Sequence, residues 1–504
     1  MHWLQCLCPN TGRKSNETMK NNIIAISRPM GIPLIGEGLA IGACAVLSAV
    51  CGDGALTGMV LSALLSIVSG TALLFLPKSA VSPGGKKAYA MVVTIWCVLS
   101  LYGMMPFVLC GKGISVVDGL FESVSGLTST GATIFSDVEQ LPQSLLLWRS
   151  MSEWIGGFGI ILLVLAVVPT LGLNKYSLYT AEMSGADNTG KTTASMGAMV
   201  RRTLSVYVLF TVLFIIMLRI SGMTLWESVN LVFTHISTGG FSIYSDSIAR
   251  FTPTQQYILA ASMFVGGMNF ALLFNLITLR WRLIRRKLDQ VSFYFFLMLI
   301  SCAFVVVALN GANGMPIRDA IRCGVVQTVS AMTTTGSVVA DTNLWWTPIL
   351  FLMLMLSTCG GMAGSTTGGL KVMRVVILLR NVRTTLYNRL HPHAVNPVRL
   401  NGKPVPNSLI TNVMVTFIVF AAVMIVGFVT LLACGVPAVE SIGAVFGCCT
   451  SYGPGLGFCG GFGSYAAMPA VAKLVCTVMM LLGRLECMTV LVLIVPVFNR
   501  QRRV

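Results

Sequence analysis

Long apolar runs alternate with short polar or basic segments along the whole chain. Ten runs reach the roughly 20 residues that a bilayer-spanning helix needs, and they predict helices over 34–51, 55–77, 88–110, 144–170, 200–221, 255–279, 291–311, 345–380, 408–434 and 468–498. Glycine or polar residues interrupt the first and the eighth. After the first two, the remaining eight form four pairs, and each pair encloses a 30–40-residue segment too short and too polar to cross alone. Each enclosed segment opens near an acid or a tight turn, at Asp118, Trp226-Glu227, Pro316 and Pro437, and continues as an apolar run of about ten residues. The predicted unit is a span, a half-helix, an extended loop and a second span.

The extended loops share a phrase: Thr128-Ser129-Thr130-Gly131, Ile236-Ser237-Thr238-Gly239, Thr333-Thr334-Thr335-Gly336 and Thr450-Ser451-Tyr452-Gly453. Hydroxyl-rich backbone ending in glycine can form a ring of carbonyls that replaces a cation's water shell. Glycine permits the backbone angles such a ring requires. Re-entrant backbone survives at membrane depth only inside protein or beside a water-filled cavity, and four copies about an axis supply that enclosure. The half-helices would then point their partly negative C-terminal ends at the cavity. A second register supports a fourfold internal repeat: the later spans carry Gly156-Gly157, Gly266-Gly267, Gly360-Gly361 and Gly483-Arg484. The resulting division is an N-terminal tail over 1–33, a leading two-helix unit over 34–85, and repeats over 86–196, 197–285, 286–403 and 404–504.

Composition agrees with a chain solvated by lipid. Apolar residues make up 55 % of the 504 positions, charged residues 10 %, and mean hydropathy is +0.81, against about 25 % charged in soluble domains. The net charge of +17 follows from the concentration of Lys and Arg in cytoplasmic loops and does not call for nucleic acid. With the N-terminus inside, that side collects Lys78, Lys86, Lys87, Lys175, Lys191, Arg201, Arg202, Arg280 to Lys287, Lys371 to Lys403 and Arg500 to Arg503. Asp118, Glu122, Asp137, Glu227, Asp246, Asp341 and Glu440 fall on the other side, where acids concentrate cations at a pore mouth. Both termini are therefore expected in the cytoplasm. The tail lacks a cleavable apolar core and is not a signal peptide. Fifteen unevenly spaced cysteines suggest neither a disulfide framework nor a zinc site.

These residues resemble the Trk/Ktr/HKT superfamily of potassium transporters, most closely its TrkH class. The motifs that carry the resemblance are Ser-Gly-Leu-Thr-Ser-Thr-Gly-Ala-Thr (125–133), Ser-Thr-Gly-Gly-Phe-Ser (237–242), Thr-Thr-Thr-Gly (333–336), Ala-Gly-Ser-Thr-Thr-Gly-Gly-Leu-Lys (363–371) and Tyr-Gly-Pro-Gly-Leu-Gly (452–457). The resemblance implies an all-α polytopic fold of four potassium-channel-like repeats behind a leading helix pair. It implies a selectivity filter at Ser129, Thr130, Gly131, Ser237, Thr238, Gly239, Thr334, Thr335, Gly336, Ser451, Tyr452 and Gly453, holding a potassium ion with no covalent cofactor. Sodium-passing relatives often carry serine at the first filter glycine, so Gly131 implies potassium. Ile236 and Tyr452 depart from the hydroxyl pattern. A homodimer in the bacterial inner membrane and a cytosolic nucleotide-binding regulator (TrkA-like) are also implied.

Arg484 is a basic residue in the middle of an apolar span, and a charge at mid-membrane costs at least about 2.5–3.5 kcal/mol unless it meets water or a partner. Aligned with the glycine pairs, it is expected to project below the filter as a barrier to cations, or else to pair with Glu486 or Glu153. Residues 359–369 hold five glycines in eleven positions, each costing a helix about 1 kcal/mol relative to alanine. Gly360, Gly361, Ala363, Gly364, Ser365, Thr366, Thr367, Gly368 and Gly369 are therefore expected to form a loop. The resemblance makes it the intramembrane gate; close Gly-x-x-x-Gly packing is the simpler alternative. Enzymatic readings fail on detail. Gly364 to Lys371 lacks the Gly-Lys-Ser/Thr ending of a phosphate loop, residues 453–457 precede no βαβ unit, and the four histidines are scattered. An ion-coupled secondary carrier is the rival transport reading, but such carriers normally show two inverted halves.

Overall fold

Polar residues capable of capping a helix, or proline, stand at the start of each short helix. Ser115 accepts the Asp118 amide at 3.1 Å, Thr224 and Glu227 form a reciprocal capping box, and Pro316 and Pro437 occupy the equivalent positions before the third and fourth. The side chains of Ser115 and Thr224 satisfy amides that would otherwise be orphaned, whereas the two prolines start their helices without a side-chain cap. The computed structural model describes residues 27–77, 86–170, 194–279, 288–394, 396–487 and 490. The tail's first 26 residues, Lys175, Lys191, the basic segment 280–287 and Arg500 to Arg503 lie outside the described residues, as does most of the expected last span beyond 487.

Most of the described chain is helical. Helices α1 (Gly31–Cys51) and α2 (Leu56–Leu74) form the leading pair. They approach closely because a side chain at Gly38 would lie 3.0 Å from the Ala63 carbonyl oxygen, and one at Gly70 2.8 Å from that of Gly31. One broad order of elements, a long helix, a short helix and one or two later helices, then follows in four successive stretches. Its first instance is α3 (Lys86–Gly103), α4 (Met105–Leu109), the short α5 (Val116–Leu127) and α6 (Gln143–Thr170). The second is α7 (Ala194–Ile220), the short α8 (Leu225–Ile236), α9 (Pro253–Gly266) and α10 (Phe270–Ile277). The third is α11 (Leu288–Gly311), the short α12 (Ile317–Met332), α13 (Thr347–Cys359) and α14 (Val372–Leu390). The last is α15 (Asn407–Ala433), the short α16 (Ala438–Cys449) and α17 (Ala470–Arg484). A two-residue hairpin, Arg399–Leu400 against Lys403–Pro404, joins α14 to α15.

Six helices among the described residues are long and apolar enough to cross a membrane. Large apolar residues face outward as well as filling the core. Ile216, Ile300, Val307, Ile418 and Ile425 are at least half exposed, whereas Thr128, Ser129, Thr234, Ser330, Thr334 and Thr450 have no accessible surface. That is the arrangement of a protein whose outer solvent is hydrocarbon. Two expected spans are broken. The eighth stops at Cys359 and resumes at Val372, where the glycine-rich run predicts a loop. The sixth, expected to be continuous over 255–279, bends by 105° between Gly266 and Phe270. Asn269 makes the new start by accepting the Leu272 amide at 2.9 Å, while its side-chain amide donates to the Ala363 carbonyl of the glycine-rich loop.

Candidate functional site

The four short helices end in the same backbone turn. The amides of Thr130, Gly239, Thr335 and Tyr452 each donate to the carbonyl five residues earlier, at Ser125, Thr234, Ser330 and Gly447, over 2.8–2.9 Å. One residue before each of these amides, the backbone is left-handed despite a Cβ: Ser129 (φ 49°), Thr238 (φ 55°), Thr334 (φ 54°) and Ser451 (φ 55°). One residue after them it is left-handed again, at Gly131 (φ 78°), Gly240 (φ 87°), Gly336 (φ 81°) and Gly453 (φ 90°). The equivalent of Gly131 in the second segment is therefore Gly240, which corrects the Gly239 expected from the shared phrase by one residue. With that register Ser237, not Ile236, matches Thr128, and the missing hydroxyl falls instead at Gly239, opposite Thr130.

The four segments close on one another. A Cβ at Gly131 would fall 2.0 Å from the Gly239 carbonyl oxygen, one at Gly240 1.8 Å from that of Thr335, and one at Gly336 2.0 Å from that of Tyr452. One at Gly453 would fall 2.4 Å from the Thr130 oxygen, which returns the series to the first segment. Because every contact is glycine against the neighbouring segment's carbonyl, the ring is built from main chain. A pocket of about 60 Å³ opens on one side of it, lined by Gly131, Thr133, Gly240, Gly336 and Gly453 among others. The later spans press on the segments from behind: side chains at Gly156 and Gly483 would strike the Leu127 and Cys449 carbonyls at 1.9 and 2.0 Å. His235 packs behind the ring as well. Its Nδ1 lies 2.6 Å from the Leu231 carbonyl, which can only accept, so Nδ1 carries the proton and Nε2 accepts from Ser337 at 2.9 Å.

On the other side of the ring lies the loop between α13 and α14. Thr366 donates to the Ile236 and Gly266 carbonyls at 3.2 and 3.1 Å, and the Gly368 amide donates to Thr334 at 2.8 Å. A Cβ at Gly368 would meet the Thr450 carbonyl at 2.0 Å. The loop thus touches the second, third and fourth segments. Arg484 covers the first: its guanidinium donates to the Thr366 carbonyl at 2.6 Å and reaches Ser129 Oγ at 3.3 Å and the Gly156 carbonyl at 3.4 Å. Neither expected acid pairs with it among the described residues. Glu486 bonds Arg374 at 2.6 Å, and Glu153 faces the second segment.

A buried ion pair at the ring's edge has no counterpart among the sequence motifs. Arg149 Nε donates to Glu122 at 2.7 Å with both side chains almost fully buried, and its Nη1 donates to the Ser242 carbonyl at 2.8 Å. Glu122 also accepts the Ile134 amide at 3.0 Å. The pair thereby ties α5 and α6 to backbone just beyond the first and second segments. A lone arginine near the start of an apolar run was the available signal. Breaking such a pair leaves a buried charge that costs about 3–5 kcal/mol. Arg149→Ala is expected to lower the melting temperature in detergent markedly, and Arg149→Met with Glu122→Gln to recover part of the loss.

The fold and this ring define a polytopic membrane protein with non-helical backbone enclosed at its centre. The chain belongs to the TrkH family of cation transport proteins, whose family model matches residues 58–501. It is 33 % identical over 423 residues to the Trk system potassium uptake protein TrkH of Escherichia coli (strain K12), covering 82 % of this chain and 86 % of that one. Against the protein of the same name from Halomonas elongata, identity is 31 % over 490 residues, covering 94 % and 99 %. The crystal structure of the potassium transporter TrkH from Vibrio parahaemolyticus superposes with a TM-score of 0.86 at 27 % identity, covering 95 % of this chain and all of that one.

Proposed function

We propose that the chain takes up potassium through the four-segment ring, which acts as its selectivity filter. The observation that carries this reading is the closed series of glycine-to-carbonyl contacts. Left-handed residues alternate with ordinary ones in every segment, and alternation of this kind turns successive carbonyls toward one face, as dehydrated-ion coordination requires. The relatives' names, potassium uptake proteins throughout, favour potassium as the cargo. Residues 86–196, 197–285, 286–403 and 404–504 are then four repeats about the pore, and 34–85 is an added unit. The filter oxygens come from Ser129 and Thr130, Thr238 and Gly239, Thr334 and Thr335, and Ser451 and Tyr452. Loop 360–369 and Arg484 form the gate below. The protein works in the bacterial inner membrane with both termini cytoplasmic, as a homodimer regulated by a cytosolic nucleotide-binding subunit.

Purified protein in liposomes tests the reading. Rubidium uptake that requires the protein, and that potassium suppresses at concentrations where sodium does not, is the expected result; no uptake with or without the cytosolic partner overturns it. Selectivity has its own test in Gly131→Ser. A side chain there meets the Gly239 oxygen at 2.0 Å, so the oxygen spacing must widen or shift. Sodium should then compete at least tenfold better with rubidium, and unchanged competition removes the first segment from the filter.

A further inference from the structure

Glu153 has no accessible surface, yet no cation pairs with its carboxylate among the described residues. Arg149, the nearest arginine on its helix, is committed to Glu122 and the Ser242 carbonyl. Both Glu153 oxygens instead accept a single donor, the Phe241 amide, each at 3.2 Å. That amide follows Gly240, so the carboxylate grips the second segment directly behind the ring. Gly239 lies against it: a Cβ there would sit 2.3–2.7 Å from the carboxylate atoms. The other three segments carry Thr130, Thr335 and Tyr452 at this position. Gly239 has no left-handed φ to accommodate, so the missing side chain is explained by the space Glu153 occupies.

A buried carboxylate that accepts one amide remains poorly compensated. The Gly239 carbonyl, against which Gly131 packs, belongs to the ring itself. We infer that Glu153 is a selectivity-determining positioning residue: its negative charge, set behind the second segment, is balanced by the cation in the ring, and its grip on Phe241 fixes the spacing of that segment's carbonyls. This rests on the reading of the ring as a cation filter. It predicts an asymmetric filter, in which a carboxylate lies against the second segment at Gly239 while Thr130, Thr335 and Tyr452 occupy that position in the other three.

The test uses full-length protein in liposomes, with rubidium half-saturation, maximal rate and potassium–sodium competition measured together. Glu153→Gln keeps an acceptor for Phe241 and removes the charge. It should raise half-saturation about tenfold, with a smaller change in maximal rate, and strengthen sodium competition. Unchanged half-saturation and competition overturn the inference. Gly239→Ala alone should abolish uptake, and adding Glu153→Ala should restore it with poorer sodium exclusion. Wild-type uptake by Gly239→Ala overturns the inference, as does a dead double variant when Glu153→Ala alone transports. If Glu153→Gln does not elute as a single species in detergent, Glu153→Asp replaces it, keeping the charge but shortening its reach; unchanged sodium exclusion then overturns the inference. Wild-type uptake in the same preparation separates the two readings. Without it the filter reading fails; with it, a failed Glu153 series counts against Glu153 alone.

Discussion

Gly240→Ala should reduce rubidium uptake in liposomes at least a hundredfold, with the protein still inserted and monodisperse. Two effects combine. At φ 87° an L-residue pays about 1–2 kcal/mol for left-handed backbone, and the new methyl would sit 1.8 Å from the Thr335 carbonyl oxygen. Nothing at the end of that contact is a flexible side chain, so the ring itself must shift. A hundredfold loss corresponds to about 2.7 kcal/mol, which the combination readily supplies. Gly435→Ala is the control. Its φ is 83°, close to that of Gly240, but no atom lies within 4 Å of the added Cβ. It should weaken the fold by about the backbone term alone and leave uptake near wild type. Equal losses at both positions would mean that backbone strain, not ring geometry, is responsible.

The position of this experiment also shows where sequence pattern stops. The four short helices, the loops after them and a glycine-rich break, expected at 359–369 and found between Cys359 and Val372, were legible, because each follows from local chemistry: a cap or proline, an apolar run, a hydroxyl–glycine phrase, a glycine cluster. The second segment's register was not. Gly239 and Gly240 stand side by side, one needed for space beside Glu153 and the other for its left-handed backbone, and a one-letter code does not separate the two demands. Helix length does. Ser115, Thr224 and Pro437 each precede Gly131, Gly240 and Gly453 by sixteen residues, whereas the third short helix runs one turn longer.

The 105° bend after Gly266 was hidden for a different reason. Gly266-Gly267-Met268-Asn269 sits inside an apolar stretch that reads as one span. The break is tied to distant chain: the Met362 and Thr366 amides donate to the Gly267 and Gly266 carbonyls at 3.0 and 3.3 Å. An intrahelical bond exchanged for one to a loop about a hundred residues away leaves no local signal. The same loop binds the second segment, the bent span and Arg484 at once, so a displacement of the loop is mechanically linked to all three.

Arg484→Ala should raise basal rubidium uptake at least tenfold in liposomes lacking any cytosolic partner. Arg484 is 3 % exposed, and its guanidinium holds the Thr366 carbonyl at 2.6 Å while reaching Ser129 and Gly156. A unit charge about 4 Å from a cation's path opposes it by about 4 kcal/mol at an effective dielectric of 20. Removing that charge also releases the loop from its partner at Thr366. The gain is expected to fall well short of the full electrostatic term, because Thr366 and Gly368 still bond to the second and third segments. Arg484→Lys separates charge from shape. A lysine keeps the positive charge but loses the planar fork that bridges Thr366 and Ser129. Low basal uptake in Arg484→Lys with high uptake in Arg484→Ala assigns the barrier to charge; high uptake in both assigns it to the loop's anchor. A fall in uptake for Arg484→Ala, with the protein still folded, would instead make the arginine a strut that holds the first segment in place.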